Sequence, residues 1–257
     1  MDDVELCVAA ARAGGAVVAD HFGRTTVAVL KGKFNPVTAA DHAAEKSIVD
    51  LIRSERPGDG ILAEEGSGTA SSGRRWIIDP LDGTVNFVHR IPHVGVSVAL
   101  YEGANPLVGV ILDPMRDEEF IAVAGKGATL NGEPIAVSDT SDLERAVIAT
   151  GFSYDHDRTA AQLGATLTAV LERVNGIRRM GAAALDLAWV AAGRYDGYWE
   201  LDVAPWDVAA GILLVTEAGG VVTDPGGAPS KPEMPAAVAT NGALAEDLRL
   251  IVAATLD

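Results

Sequence analysis

One stretch, Trp76-Ile77-Ile78-Asp79-Pro80-Leu81-Asp82-Gly83-Thr84-Val85-Asn86-Phe87, constrains this chain more than any other. Trp76 to Ile78 read as a short buried strand, Pro80 ends its ladder, and Gly83 allows a backbone bend that a Cβ resists. Asp79 and Asp82 therefore fall at a strand's carboxyl end. From Thr84 the pattern fits a short helix, whose first N–H groups lack partners within it and attract anions. Two carboxylates about 4 Å apart repel by roughly 4 kcal/mol at an effective dielectric near 20. A bound cation removes that cost, and all-oxygen donors favour magnesium over zinc. The plainer alternative makes both acids turn formers or caps.

Other acids present the same choice. Thr38-Ala39-Ala40-Asp41 is a capping-box sequence at the head of a helix whose buried side is expected to be Ala44, Ile48, Leu51 and Ile52. Glu64-Glu65 follow the short strand Ile61 to Ala63. Adjacent strand residues face opposite ways, so one carboxylate is expected in a metal shell and the other in a supporting role. Pro205-Trp206-Asp207 opens an apolar helix running to about Glu217, where Asp207 serves either the helix dipole or a ligand. Gly181-Ala182-Ala183-Ala184 lies at another helix start, where bare backbone suits either a ligand or tight packing.

These motifs together carry a resemblance. Asp79 to Phe87 looks like the signature of the inositol monophosphatase family. Trp206-Asp207-Val208-Ala209-Ala210-Gly211, followed by Glu217-Ala218-Gly219-Gly220, is similar to that family's C-terminal motif. The resemblance implies two or three Mg2+ ions held by Glu64, Asp79, Asp82, Asp207 and the Leu81 carbonyl. It makes Asp41, Thr84 and Glu65 the groups that act on the attacking water. Glu64, Asp82, Gly83, Thr84 and Asp207 also contact the phosphorylated substrate, while Gly181, Ala182, Ala183 and Glu200 contact its sugar side. It further implies lithium inhibition, a homodimer, a small phosphorylated polyol or sugar as substrate, and inositol monophosphate first. Relatives with similar motifs act on histidinol phosphate, fructose 1,6-bisphosphate or 3′-phosphoadenosine nucleotides, and some assist RNA synthesis as interaction modules. Gly66 stands where Ser is frequent, and Ala182 has no hydroxyl where many relatives carry Ser or Thr.

The rest of the chain sets the frame. With 257 residues, 48% hydrophobic, it can bury a sizeable core. The single Cys7 allows neither an intrachain disulfide nor a thiolate zinc cluster, and the five histidines show no zinc spacing. A net charge of −16 argues against nucleic acid as partner. There is no apolar run near 18 residues and no basic start at Met1-Asp2-Asp3, so the expectation is a cytoplasmic protein without a membrane partner. Helices are expected at 2–22, 157–174, 182–192 and 243–256, with Val4, Cys7, Val8, Ala11 and Val18 as the apolar stripe of the first. A strand is expected at Thr25 to Leu30. A loop follows, carrying Lys31 and Lys33, that could close over a substrate. A meander with an Asn131-Gly132 hairpin fills the sequence to 137. The expected class is α/β: an N-terminal α+β half, residues 1–137, with most metal ligands, and a C-terminal α/β half, residues 138–257, with substrate contacts and Asp207. Together they form a layered αβαβα sandwich of the sugar-phosphatase type, with the cleft between the halves as the natural pocket.

Overall fold

A computed structural model describes residues 1–24, 28–69 and 73–256. In chain order the elements are α1 (Asp3–His21), β1 (Ala28–Leu30), β2 (Pro36–Thr38), α2 (Ala39–Glu55), β3 (Gly60–Ala63), β4 (Arg74–Asp82), α3 (Thr84–Val88), β5 (Gly95–Glu102), β6 (Asn105–Asp113), β7 (Glu118–Val123), β8 (Gly127–Leu130) and β9 (Glu133–Ile135). They continue with β10 (Val147–Thr150), α4 (His156–Leu171), β11 (Gly176–Arg178), α5 (Ala183–Ala191), β12 (Gly197–Leu201), α6 (Pro205–Glu217), β13 (Val221–Thr223), β14 (Ala236–Thr240) and α7 (Ala245–Ala253). Of the strand expected from Thr25, residues 25–27 lie outside the described residues.

Among the described residues, β3 to β9 form one sheet in sequence order, with β3 parallel to β4 and the rest an antiparallel meander. A second sheet runs β11-β10-β12-β14-β13. Side-chain alternation explains the layering. Trp76 and Ile78 of β4 pack with α1 and α2, whereas Ile77 between them packs with α5 and α6. In the second sheet Tyr198 joins that same central layer, and Trp199 faces α4 and α7. Both faces of both sheets are covered, so the strands read as continuous apolar runs. The result is a layered α/β sandwich in five layers, α1/α2, sheet, α5/α6, sheet, α4/α7. Its central core draws residues from both parts of the chain.

Several local expectations are corrected. Pro80 does not end the ladder: β4 runs on to Asp82, because a bulge places three steps of β4 (Asp79 to Asp82) against two of β5 (Ser97 to Gly95). Proline is tolerated in such an irregularity because no ladder donor is needed there. On α1 the buried face is Leu6, Cys7, Ala10, Ala11, Gly14, Gly15 and Val18, while Val4 and Val8 are half-buried. The glycine pair sits there for close approach: a Cβ at Gly14 would lie 2.6 Å from Ile48 Cδ1, and one at Gly15 would lie 2.4 Å from Leu112 Cδ2. On α2 Ala44, Ile48 and Ile52 are buried as expected, but Leu51 is half-buried and the acid Glu45 is buried.

Candidate active site

The β4 bulge delivers Asp79 and Asp82 to one end of the sheet, and α3 begins immediately after. Gly83, the residue before α3, has φ +90°, and a Cβ there would lie 3.1 Å from the His93 carbonyl oxygen and 3.2 Å from that of Gly181. Only glycine fits so tight a left-handed turn. The turn is tied across the molecule by Asn86, whose Nδ2 donates to the His93 and Met180 carbonyls at 2.8 Å each. Residues from both ends of the chain then enclose a cleft of about 190 Å³. A single water needs only about 10–15 Å³ on this measure, so the cleft has room for a small substrate.

Glu64, Asp79, Leu81, Asp82 and Asp207 all border this cleft, as do Gly83, Thr84, Gly181, Ala182, Ala183 and Glu200. Each acid is also engaged locally. The Leu81 N–H donates to Asp79 Oδ1 at 3.0 Å, a turn bond within the bulge. Asp82 accepts from the Ala183 and Ala184 N–H groups at 3.2 and 2.8 Å, so an acid of β4 caps α5 about a hundred residues later. Asp207 accepts from the Ala204 N–H at 2.7 Å and so caps α6. Glu200 accepts from the Tyr198 hydroxyl at 2.5 Å.

Asp41 holds two positions at once. Its Oδ2 accepts from the Thr38 N–H (2.8 Å) and Thr38 Oγ1 (2.6 Å), and the Ala40 N–H donates to Thr38 Oγ1, which makes the N-terminal cap of α2. Its Oδ1 accepts from Thr84 Oγ1 at 3.0 Å, with the Leu81 carbonyl as a second acceptor of that hydroxyl at 3.2 Å. Both groups are buried. The Thr84 proton is thus directed inward, leaving oxygen lone pairs to receive a proton from a water.

The Glu64-Glu65 pair departs from strict alternation. Strand β3 stops at Ala63, so both acids lie in the following turn, and both bind the Lys31 ammonium, at 3.0 Å for Glu64. The turn is clamped by Glu45 of α2, which accepts the Glu65 and Ser67 N–H groups at 2.7 and 3.0 Å. Glu65 stays outside the cleft lining, as does Lys31, and is linked to the lining residue Glu64 through the ammonium they share.

Burial and crowded like charge raise the pKa values here. Asp82 and Glu200 are pushed up to about 7 and Asp207 to about 8, chiefly by burial, with neighbouring carboxylates adding to it. Asp79 is raised well above the ordinary carboxylate range by burial and then by Glu64, Asp82 and Asp207. Glu64 is raised by burial against the opposing pull of Lys31. Hard oxygen donors around one cleft, kept apart from neutral partners only at a cost in ionisation, fit a divalent cation in donor type. Among the described residues no three His, Cys, Asp or Glu side chains are gathered closely enough to hold an ion as they stand. Glu64, Asp79, Asp82 and Asp207 are each turned toward an N–H or ammonium partner.

Three features escaped the sequence pattern. Lys31 serves as counter-ion to Glu64 and Glu65. The loop it belongs to is clasped to α4, with Phe34 stacked on His156 (centroids 4.5 Å) and Lys33 Nζ bonded to Asp157 Oδ2 at 2.7 Å. Asp186, a buried acid on α5, borders the cleft. Its signal was available as the one charge within the apolar run Ala183–Ala191.

Fold and cleft together define a layered α/β sandwich with a carboxylate-lined pocket of the kind that takes a small polar ligand. The sequence profile of the inositol monophosphatase family matches residues 2–255. An inositol-1-monophosphatase from a Synechocystis species is 40% identical over 255 residues, covering 98% of this chain and 89% of that protein. A Nus factor SuhB from Pseudomonas aeruginosa is 43% identical over 230 residues, covering 86% and 84%. The structure of an inositol monophosphatase from an Anabaena (Nostoc) species superposes with a TM-score of 0.88 at 42% identity, covering 97% of this chain and 94% of that one. The chain belongs to the inositol monophosphatase family.

Proposed function

We propose that the cleft hydrolyses a small phosphomonoester, inositol monophosphate first, by attack of a water held at Thr84. The observation that carries the reading is the Asp41–Thr84 bond. Thr84 accepts a proton from the water, its own proton passes to Asp41 Oδ1, and the rigid cap of α2 holds the acceptor in place. Glu64, Asp79, Asp82, Asp207 and the Leu81 carbonyl would hold two or three magnesium ions. When bound, these supply positive charge against the phosphoryl oxygens. Gly83 and Thr84 place their backbone against the phosphoryl group, and Glu200 accepts a hydroxyl of the organic part. Glu65 acts by positioning Lys31 rather than by touching substrate. On this reading residues 1–137 carry most of the cation ligands, and residues 138–257 carry the polyol contacts and Asp207. Lithium inhibition, a homodimer and a cytoplasmic site of action belong to the same reading. Among the described residues no helix is long and apolar enough to cross a membrane.

The test is phosphate release from inositol 1-phosphate, histidinol phosphate, fructose 1,6-bisphosphate and a 3′-phosphoadenosine nucleotide, with magnesium and with chelator. Magnesium-dependent turnover led by inositol 1-phosphate is expected, and no turnover of any of the four would end the reading. A second reading, an interaction module that assists RNA synthesis, is favoured by the relative named Nus factor SuhB. Asp82→Asn separates the two: a cellular role that survives loss of hydrolysis assigns the chain to interaction.

A further inference from the structure

Tyr154 lies in the connection between β10 and α4, where it lines the cleft with Phe152 and Ser153 and keeps 38% of its surface open. A ligand entering the cleft can therefore touch it. Its phenol stands in the field of Glu64, Asp82, Asp79 and Asp207, the four side chains of the cation side, with Glu64 acting on it most strongly. Among the described residues its hydroxyl has no hydrogen-bond partner. Burial and those carboxylates push the phenol above its ordinary pKa, so it keeps its proton and remains a donor. The acids around it, once ionised, are acceptors only and offer a phosphoryl oxygen no hydrogen bond. The segment that carries Tyr154 is also braced. The His156 N–H donates to the Ser153 carbonyl at 3.2 Å and the Arg158 N–H to that of Asp155 at 2.9 Å, while Phe34 and Lys33 clasp the first turn of α4 from the other half of the chain.

We infer that the Tyr154 hydroxyl donates to a phosphoryl oxygen of the bound substrate, so that the C-terminal half of the chain grips the same group as the Gly83–Thr84 turn. The inference rests on the phosphomonoester reading and adds a binding residue to it. The oxygen it meets is present in substrate, transition state and product phosphate alike. Such a bond strengthens binding throughout and leaves kcat little changed. It is also blind to the organic part, so it acts on every phosphomonoester the cleft admits.

The test compares wild type with Tyr154→Phe, which removes the hydroxyl and keeps the ring. Steady-state kinetics on inositol 1-phosphate and phenyl phosphate, with magnesium, form one arm. Calorimetry forms the other: affinity for inorganic phosphate with magnesium, and for magnesium without phosphate. KM for both substrates is expected to rise by about tenfold or more, the scale of one hydrogen bond to a charged acceptor, and phosphate affinity to fall by the same factor. Magnesium affinity and melting temperature should match wild type, because the hydroxyl has no partner in the free protein. A loss confined to inositol 1-phosphate would assign the hydroxyl to the polyol, weaker magnesium binding without phosphate would assign it to the cations, and a lowered melting temperature would assign it to structure. Each of these, or unchanged phosphate affinity, overturns the inference. If wild type binds phosphate but hydrolyses neither ester, the phosphatase reading fails by itself and the phosphate arm still decides Tyr154. Wild type that binds no phosphate ends both.

Discussion

The Thr84 hydroxyl lies 3.0 Å from Asp41 Oδ1, on a carboxylate whose other oxygen caps α2. Helix capping and water activation are therefore two uses of one side chain, and substitution can pull them apart. Thr84→Val removes the proton relay and leaves the cap intact. It is expected to lower kcat by about 10²-fold or more, in line with general acid–base contributions, with KM for inositol 1-phosphate little changed. Asp41→Asn should lose comparable activity and also about 1 kcal/mol of stability from the damaged cap. Initial rates and thermal melts read both; a Thr84→Val enzyme within threefold of wild type contradicts the assigned role.

Stability should fall as pH rises in the metal-free protein. Asp82 and Glu200 titrate near 7 and Asp207 near 8 in the folded chain, against ordinary values of 3.8 for Asp and 4.5 for Glu. Between about pH 5 and 8 the native state thus binds more protons than the unfolded one, and the linkage slope is negative. Melting temperatures in chelator are expected to drop from pH 5 to pH 8. Added magnesium should flatten that slope by compensating the ionised carboxylates. A melting temperature that rises with pH in chelator would refute the crowded-carboxylate account.

Gly83→Ala should destabilise the chain. The left-handed backbone alone costs a residue with a Cβ about 1–2 kcal/mol, and the added methyl meets two carbonyl oxygens at 3.1 and 3.2 Å. A melting temperature lower by several degrees is expected for a chain of this size, together with loss of activity as the turn shifts. Wild-type stability in the variant would show that the turn tolerates a side chain.

Gly151→Ala tests the organic side of the cleft. A Cβ at Gly151 would overlap Glu200, coming 1.8 Å from Oε2, so Glu200 must give up its place beside Tyr198. KM for inositol 1-phosphate is expected to rise by about threefold to tenfold, the loss of one oriented hydrogen bond, with a smaller effect on phenyl phosphate. Equal effects on both substrates would place Glu200 away from the polyol.

Much of this was legible in the chain itself. The Trp76 to Phe87 stretch announced a strand end, two acids and a glycine turn. Thr38 to Asp41 announced a capping box, and Asn131-Gly132, with φ +50° and +86°, announced its hairpin. Such features depend on neighbours within a few residues, where backbone sterics and local hydrogen bonds decide the outcome. The bulge that carries β4 past Pro80 was not legible, because it depends on register with β5. The sharing of Lys31 by Glu64 and Glu65 depends on where β3 happens to end.

The sequence by itself determined which donors exist and which local turn each sits in. Tertiary structure alone decided that Asp82 caps a helix starting at Ala183, that Asp41 meets Thr84, and that Asp186 is left without a partner beside the cleft. The physical reason is that these relations span forty to a hundred residues. The Asp82 and Asp186 relations are fixed by the packing of α5 between two sheets, and the Asp41–Thr84 bond by the packing of α2 on the outer face of the first sheet, which no pattern of nearest neighbours encodes.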